Sequence, residues 1–203
     1  MQKIIVLLVL LSTSCSTEQS ISYLQNGDII FQISTSSQSK AIQLATHSQY
    51  THVGIIYIVN NQYFVYEAVQ IVKLTPLDRW IDRGERRHFI AKRLKDTRIL
   101  TPTNLKKMKA VGEKYQGKNY DPYFSWDDKK MYCSELVWKI YKNSLNVEIG
   151  QLQKIVDFDL FHPLVKMKLK ERYGKNVPLF EFAISPEQIL NSPLLETVGV
   201  LNK

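Results

Sequence analysis

In the 203-residue chain only two cysteines occur, Cys15 and Cys133. Cys133 stands in "MYCSELVWKIY", where Leu136, Val137, Ile140 and Tyr141 fall at helical spacing, so the pattern predicts an amphipathic helix beginning at the thiol. A cysteine in that place receives the partial positive charge of helix amides that lack acceptors, which favours the thiolate, and the same amides can donate to an oxyanion. The plain alternative is a small buried side chain, the commonest fate of a free cysteine. A working thiol nucleophile also needs a base, usually histidine, and a third group holding that imidazole in its useful tautomer.

Four histidines compete for the role of base. His52 heads the strand pattern "THVGIIYIV", where alternation sends one face to a core, and where Gly54 allows another backbone to come close. His47 lies in a polar turn, His88 follows a run of charges and is expected to be solvated, and His162, before Pro163, is expected in a loop or turn. His52 leads, with a hydrogen-bonded structural histidine as the alternative. Glu67 in "YFVYEAVQI" is a carboxylate inside an apolar strand, so it must face solvent or find a cationic or hydrogen-bonding partner. If the strands of His52 and Glu67 form a hairpin about Asn60-Asn61, both residues lie toward the same end of it, and an imidazole–carboxylate pair is geometrically reasonable.

The elements that would carry these residues are short and mixed. "NGDIIFQI" predicts a strand over about 28–33, and "SSQSKAIQLATHS" a short helix behind a serine cap. "THVGIIYIVNNQYFVYEAVQIVKL" predicts two or three antiparallel strands with a tight turn at Asn60-Asn61. "TPLDRW" predicts one or two helical turns capped by Thr75 with Pro76 at the first position, "HFIAKRL" a strand, and "TPTNLKKMKAVGEKYQGK" a helix stopped at Gly117. After the aromatic loop "NYDPYFSWDDKK" and the Cys133 helix, a strand is expected over about 179–184, then the capped turn "SPEQIL". The set describes a small α+β domain built on an antiparallel sheet.

The N-terminus reads as a targeting segment. One lysine and the apolar run Ile4 to Leu11 are too short to span a bilayer and suit a signal peptide over residues 1–14, with a polar tether at 15–22 and one domain over 23–203. The small residues before Cys15 resemble a lipobox, which makes Cys15 a lipidation candidate. Export to the cell envelope implies an oxidising setting, where Cys133 would lack a disulfide partner if Cys15 carries lipid. The net charge of +8 fits polyanionic surroundings such as phospholipid headgroups or acidic wall polymers, or simply a solvated surface. No nucleic-acid motif, metal-ligand spacing or Gly-rich phosphate loop occurs, so neither nucleic acid, metal nor another cofactor is expected.

"NGDIIFQ", "SQYTHVGIIY", "YEAV", "YDPYF" and "YCSELVWKIY", in this order, resemble the NlpC-like cysteine hydrolases of papain-type fold, and within them the circularly permuted YiiX-like branch related to lecithin retinol acyltransferase. The resemblance covers about Leu24 to Tyr141, with "ISPEQIL" near the end. It implies a papain-like α+β fold whose antiparallel sheet or small barrel packs against the nucleophile helix, Cys133 as nucleophile, His52 as base and Glu67 as the group orienting it. It also gives Tyr132, beside the nucleophile, the task of binding the oxyanion or walling the cleft. The expected activity is an exported cysteine hydrolase cleaving an amide or isopeptide bond, a peptidoglycan-type peptide being favoured, through a thioester acyl-enzyme. The kinship also allows an acyl-lipid amidase, esterase or acyltransferase, and a silent groove would make the chain a binding lipoprotein of the envelope.

Overall fold

The structure, a computed structural model, describes residues 21–201. The segment expected to be a signal peptide, Cys15 and most of the tether lie outside the described residues. The described chain begins with a turn in which Leu24 N–H donates to Ile21 O (3.0 Å).

Six strands form one antiparallel sheet: β1 (Ile29–Ser34), β2 (His52–Val59), β3 (Gln62–Ala68), β4 (Val72–Pro76), β5 (Gly84–Leu94) and β8 (Leu195–Leu201), in the order β4-β3-β2-β1-β5-β8. A separate two-stranded ribbon joins β6 (Gln153–Lys154) and β7 (Phe182–Ala183). The six α-helices among the described residues are α1 (Ser39–Thr46), α2 (Leu77–Arg83), α3 (Pro102–Glu113), α4 (Cys133–Leu145), α5 (Pro163–Tyr173) and α6 (Pro186–Leu190).

Strand alternation divides the core. Ile29, Phe31, Val53, Ile55 and Tyr57 turn to the face covered by α4, which contributes the expected Leu136, Val137, Ile140 and Tyr141. Ile30, Ile56, Val65, Phe89 and Ala91 turn to the other face, against Leu77, Trp80 and Ile81 of α2. The Tyr141 hydroxyl donates to Gly27 O, tying α4 to the start of β1.

The β2–β3 turn is as expected: Asn60 and Asn61 have φ of 50° and 60°, the left-handed pair that a two-residue hairpin of primed type requires. Elsewhere local chemistry was outcompeted. Thr75 does not cap α2; the cap residue is Pro76, and the Thr75 hydroxyl is drawn instead to Glu67 (2.6 Å). No serine side chain caps α1, whose Ser39 hydroxyl meets that of Thr51 (2.8 Å). Helix α3 ends at Glu113, before Gly117, and the strand expected over 179–184 shrinks to β7. His88 is not solvated: it is half-buried, with Nε2 2.8 Å from the Tyr50 hydroxyl. His162 caps α5, its Nδ1 accepting from Leu164 N–H (3.1 Å). The last sheet strand, β8, follows the turn at Asn191-Ser192-Pro193 and was not among the expected strands.

Gly54 is the point in β2 where a side chain has no room. A Cβ there would lie 2.4 Å from Val65 Cγ1 and 2.9 Å from Tyr66 O. Gly54→Ala is therefore expected to lower stability by about 1–3 kcal/mol through overpacking, read as a fall in the thermal midpoint; an unchanged midpoint would contradict the close approach.

Candidate active site

Cys133 is the first residue of α4 and is 4% exposed. Two polar ties fix that helix end. Glu135 Oε2 accepts from Tyr132 N–H (3.3 Å), and the Ser134 hydroxyl donates to Ile184 O (2.7 Å). Lys139 Nζ bridges Glu135 Oε1 (2.7 Å) and Asp128 Oδ1 (2.9 Å), which fastens the aromatic loop to the same helix. The first amides of a helix have no intrahelical acceptors, so the end carrying the thiol offers unused donors.

His52, buried at the head of β2, reaches Glu67 across the hairpin: Nε2 lies 2.5 Å from Glu67 Oε2. Glu67 is 0% exposed and receives three further hydrogen bonds. Thr75 Oγ1 donates to Oε1 (2.6 Å), and Arg83 Nη2 donates to Oε1 (2.7 Å) and Oε2 (2.6 Å). Burial disfavours the charged carboxylate, yet His52 and Arg83 overcome it and hold its pKa down at about 2. The other ring nitrogen of His52 is left for the thiol. Burial alone would lower the His52 pKa, but the hydrogen bond to Cys133, the bond to Glu67 and the negative charge at both raise it to about 9. An imidazole of that strength carries its proton at neutral pH, so the ring facing the sulfur rests as a cation.

Cys133 also opens onto a cleft of about 120 Å³ whose walls are overwhelmingly apolar. Ala41, Ile42 and Ala45 of α1 form one side, and Ile155, Phe158, Leu160, Val165 and Leu169 the other. His52 is not among the walls. Tyr132 is: its ring packs edge-on to Phe124 (5.2 Å between centroids), while its hydroxyl accepts from Ile184 N–H (3.1 Å). The polar residues of the cleft are linked. Gln38 Nε2 donates to the Tyr120 hydroxyl (2.9 Å), and Arg172 Nη2 donates to Gln38 Oε1 (3.0 Å) with its guanidinium 4.8 Å from the Phe124 ring. Burial, and then the charge at Cys133, push the Tyr120 phenol far above its ordinary value, so it keeps its proton.

Thus the structure brings Cys133, His52 and Glu67 together and puts Tyr132 in the cleft wall; Cys15 lies outside the described residues. Sequence reasoning missed Arg83, Thr75, Tyr120, Gln38 and Arg172. Tyr120 was within reach, because it sits in the loop just before the thiol helix; Arg83 was one cation in a run of several.

A thiol at a helix start, an imidazolium against it and a buried carboxylate behind the ring define a papain-type cysteine hydrolase in which the histidine strand precedes the nucleophile helix. Residues 23–199 match the permuted papain-like amidase enzymes of the YaeF/YiiX, C92 family, and the chain belongs to that family. YiiX of Escherichia coli (strain K12), described as an uncharacterized protein, is 50% identical over 175 residues, 86% of each chain. A crystal structure described as metalloprotein yiiX from Escherichia coli O157:H7 has a TM-score of 0.85 and 49% identity, covering 88% of this chain and 98% of that one.

The charges predict a pH dependence. Because the His52 pKa is raised from 6.5 to about 9, its stabilising contribution is complete below 6.5 and is lost as pH rises through about 9. The Glu67 contribution, with its pKa lowered from 4.5 to about 2, is present above 4.5 and lost as pH falls through about 2. His52 followed by NMR should titrate near 9, and its midpoint should fall in both Glu67→Gln and Cys133→Ala. A midpoint near 6.5 in the unaltered chain would contradict the paired arrangement.

Proposed function

We propose that the chain is an exported cysteine amidase that cleaves the amide bond of an apolar acyl group through a thioester at Cys133. The cleft carries this reading: a groove opening at the nucleophile and walled by aliphatic and aromatic side chains suits an acyl chain better than the charged peptides of a cell wall. Export by residues 1–14 and a lipid anchor at Cys15 belong to the same reading, supported by the apolar run Ile4 to Leu11 and the small residues before Cys15.

In this mechanism the Cys133 sulfur, as thiolate, attacks the carbonyl carbon, and the electron pair of the C=O bond moves to oxygen. That oxyanion is met by the Cys133 backbone N–H and by the Tyr120 hydroxyl, which is held by Gln38. The His52 proton passes to the departing nitrogen, the C–N bond breaks, and an amine leaves with a thioester behind. His52, now neutral, takes a proton from water; the hydroxide attacks the thioester, the C–S bond breaks, and the acid departs with the thiolate restored. Glu67, held by Arg83 and Thr75, keeps the ring oriented throughout.

The solved relative is described as a metalloprotein. Among the described residues no three His, Cys, Asp or Glu side chains converge to hold a metal ion, and both Glu67 oxygens are already occupied. The donor set does not fit a metal, and no step passes through one.

With N-acyl p-nitroanilides of increasing chain length, kcat/KM should rise by up to about fourfold per added methylene until the cleft is full, from the roughly 0.8 kcal/mol of each buried methylene. Cys133→Ala and His52→Ala should abolish turnover. Ala45→Phe, which narrows the cleft, should shorten the longest chain accepted and leave short-chain turnover unchanged. Cleavage of peptidoglycan fragments with no response to acyl length would return the substrate to the wall peptide; intact turnover in Cys133→Ala would overturn catalysis itself.

A further inference from the structure

The segment that leaves α4, forms β6, α5 and β7 and returns to the sheet gives the cleft one of its apolar walls, and it is apolar on its outer side too. Phe161 is 83% exposed and Phe180 74% exposed, and Met167, Phe182 and Val156 are also solvent-facing. Val156, Phe180 and Phe182 belong to one surface, because Val156 N–H donates to Leu179 O (2.9 Å), Ile155 N–H donates to Glu181 O (3.0 Å) and Lys154 pairs with Phe182 across the ribbon. Phe161 joins them, walling a common groove with Val156. Aromatic side chains left in water on this scale mark a surface that something else covers.

The charges say what that is. Lys154 Nζ stands 5.9 Å from the Phe180 ring centroid, and Lys166 Nζ 5.7 Å from that of Phe161. Helix α5 adds the exposed Lys170, while Lys168, paired with Glu171 (2.8 Å), and Arg172 border the cleft on its inner side. The groove between Val156 and Phe161 also holds three acids, each with a partner: Asp157 accepts from Lys154 N–H (2.8 Å), Asp159 is paired with His47 (3.3 Å) and Glu187 accepts from Asn191 Nδ2 (2.6 Å), so the positive charge of this face lies at its rim, on Lys154, Lys166 and Lys170. Rings flanked by long-stemmed amines suit a boundary where the rings enter the acyl layer and the amines reach phosphate.

We propose that this face beds into an anionic phospholipid bilayer, Phe161, Phe180 and Phe182 entering the interface while Lys154 and Lys166 contact lipid phosphates. The acyl chain then passes from the membrane into the cleft on the inner side of the same segment. This inference rests on the acyl reading of the cleft, but its test does not.

The test uses the chain carrying Cys15→Ser and Cys133→Ala, which can neither take a lipid nor turn over substrate. Tryptophan is placed at Phe161 or Phe180, and as a control at Gln62, an exposed position at the far end of the β2–β3 hairpin from His52. On phosphatidylglycerol vesicles containing bromolipid, Phe161→Trp and Phe180→Trp should gain a blue shift and quenching at least fivefold above the Gln62→Trp control. On pure phosphatidylcholine, or after Lys154→Glu with Lys166→Glu, most of that gain should be lost. Equal quenching at all three positions would overturn the proposal. So would a tryptophan at Phe180 already blue-shifted in buffer and indifferent to vesicles, which would mean that a second copy or another part of the chain covers the face. Short-chain amidase activity, measured with Cys133 restored and Phe161→Ser and Phe180→Ser introduced, should remain. Insertion without any amidase activity would sink the acyl reading alone, and activity without insertion would sink the docking alone.

Discussion

A carboxylate without solvent is the constraint on which the arrangement depends. Charged and buried, Glu67 would be prohibitively costly on an isolated strand, and it is kept ionised by donors drawn from three other elements: Thr75 of β4, Arg83 at the end of α2 and His52 of β2. Each donor then fixes its element. The β3–β4 hairpin is held in a register that brings Thr75 within reach, α2 is held so that its last turn carries Arg83 over the strand, and the imidazole is held with one nitrogen spoken for. Removing the partners singly is therefore unequal. Arg83 is partly exposed, so its loss leaves a site water can enter, whereas loss of Glu67 leaves the ring of His52 without its orienting anchor in a dry pocket.

Across the sheet, the thiol is organised differently. Cys133 belongs to the core on the α4 face, while alternation turns His52 toward the α2 face with Trp80 beside it, and the two meet only because His52 is the first residue of its strand. Fixing a helix end against a strand end is sensitive to small displacements, and α4 is tied both at its start, by Glu135 to the Tyr132 amide and Ser134 to Ile184, and further along, by Lys139 to Asp128 and Tyr141 to Gly27. The ties come from before and after α4 in the chain, so the thiol is positioned by the loop that precedes it and by the segment that closes the fold.

The three central residues stood out as candidates because each breaks a local rule (a lone thiol at a helix start, a histidine at the head of an apolar strand, and a charge where apolar residues alternate), but each pattern also admitted an inert reading, and it was the ordered family motifs that gave them their roles. What holds them was not legible. Thr75 read as a helix cap, and that reading failed because a buried carboxylate competes for a hydroxyl more strongly than an exposed helix amide does. Arg83 lay in a basic run with nothing to single it out. The α5 wall escaped for another reason: Val165 and Leu169 face the cleft while Met167 faces water, so "LVKMKLKERYGK" shows no single apolar stripe and reads, with its lysines, as a solvated or headgroup-facing surface rather than as a cleft wall. The β2–β3 hairpin and the two-faced core, by contrast, follow from the period-two patterns and the Asn60-Asn61 turn, whereas alternation says nothing of the places of β1, β5 and β8 in the sheet.

The two sides of the thiol now pose opposite electrostatic demands, and on the proposed reading both are useful. The side toward His52 is a chain of charges, imidazolium, carboxylate and guanidinium, that stays strong because water is scarce. The cleft side is apolar, and an acyl chain seated there would shield the thioester from solvent approaching through the cleft. Water for the second step would then have to arrive from the His52 side, where the ring that has just given up its proton is the base that can activate it. Whichever nucleophile can occupy that position receives the acyl group, so the choice between hydrolysis and acyl transfer lies with access at His52 and not with the walls that select the chain.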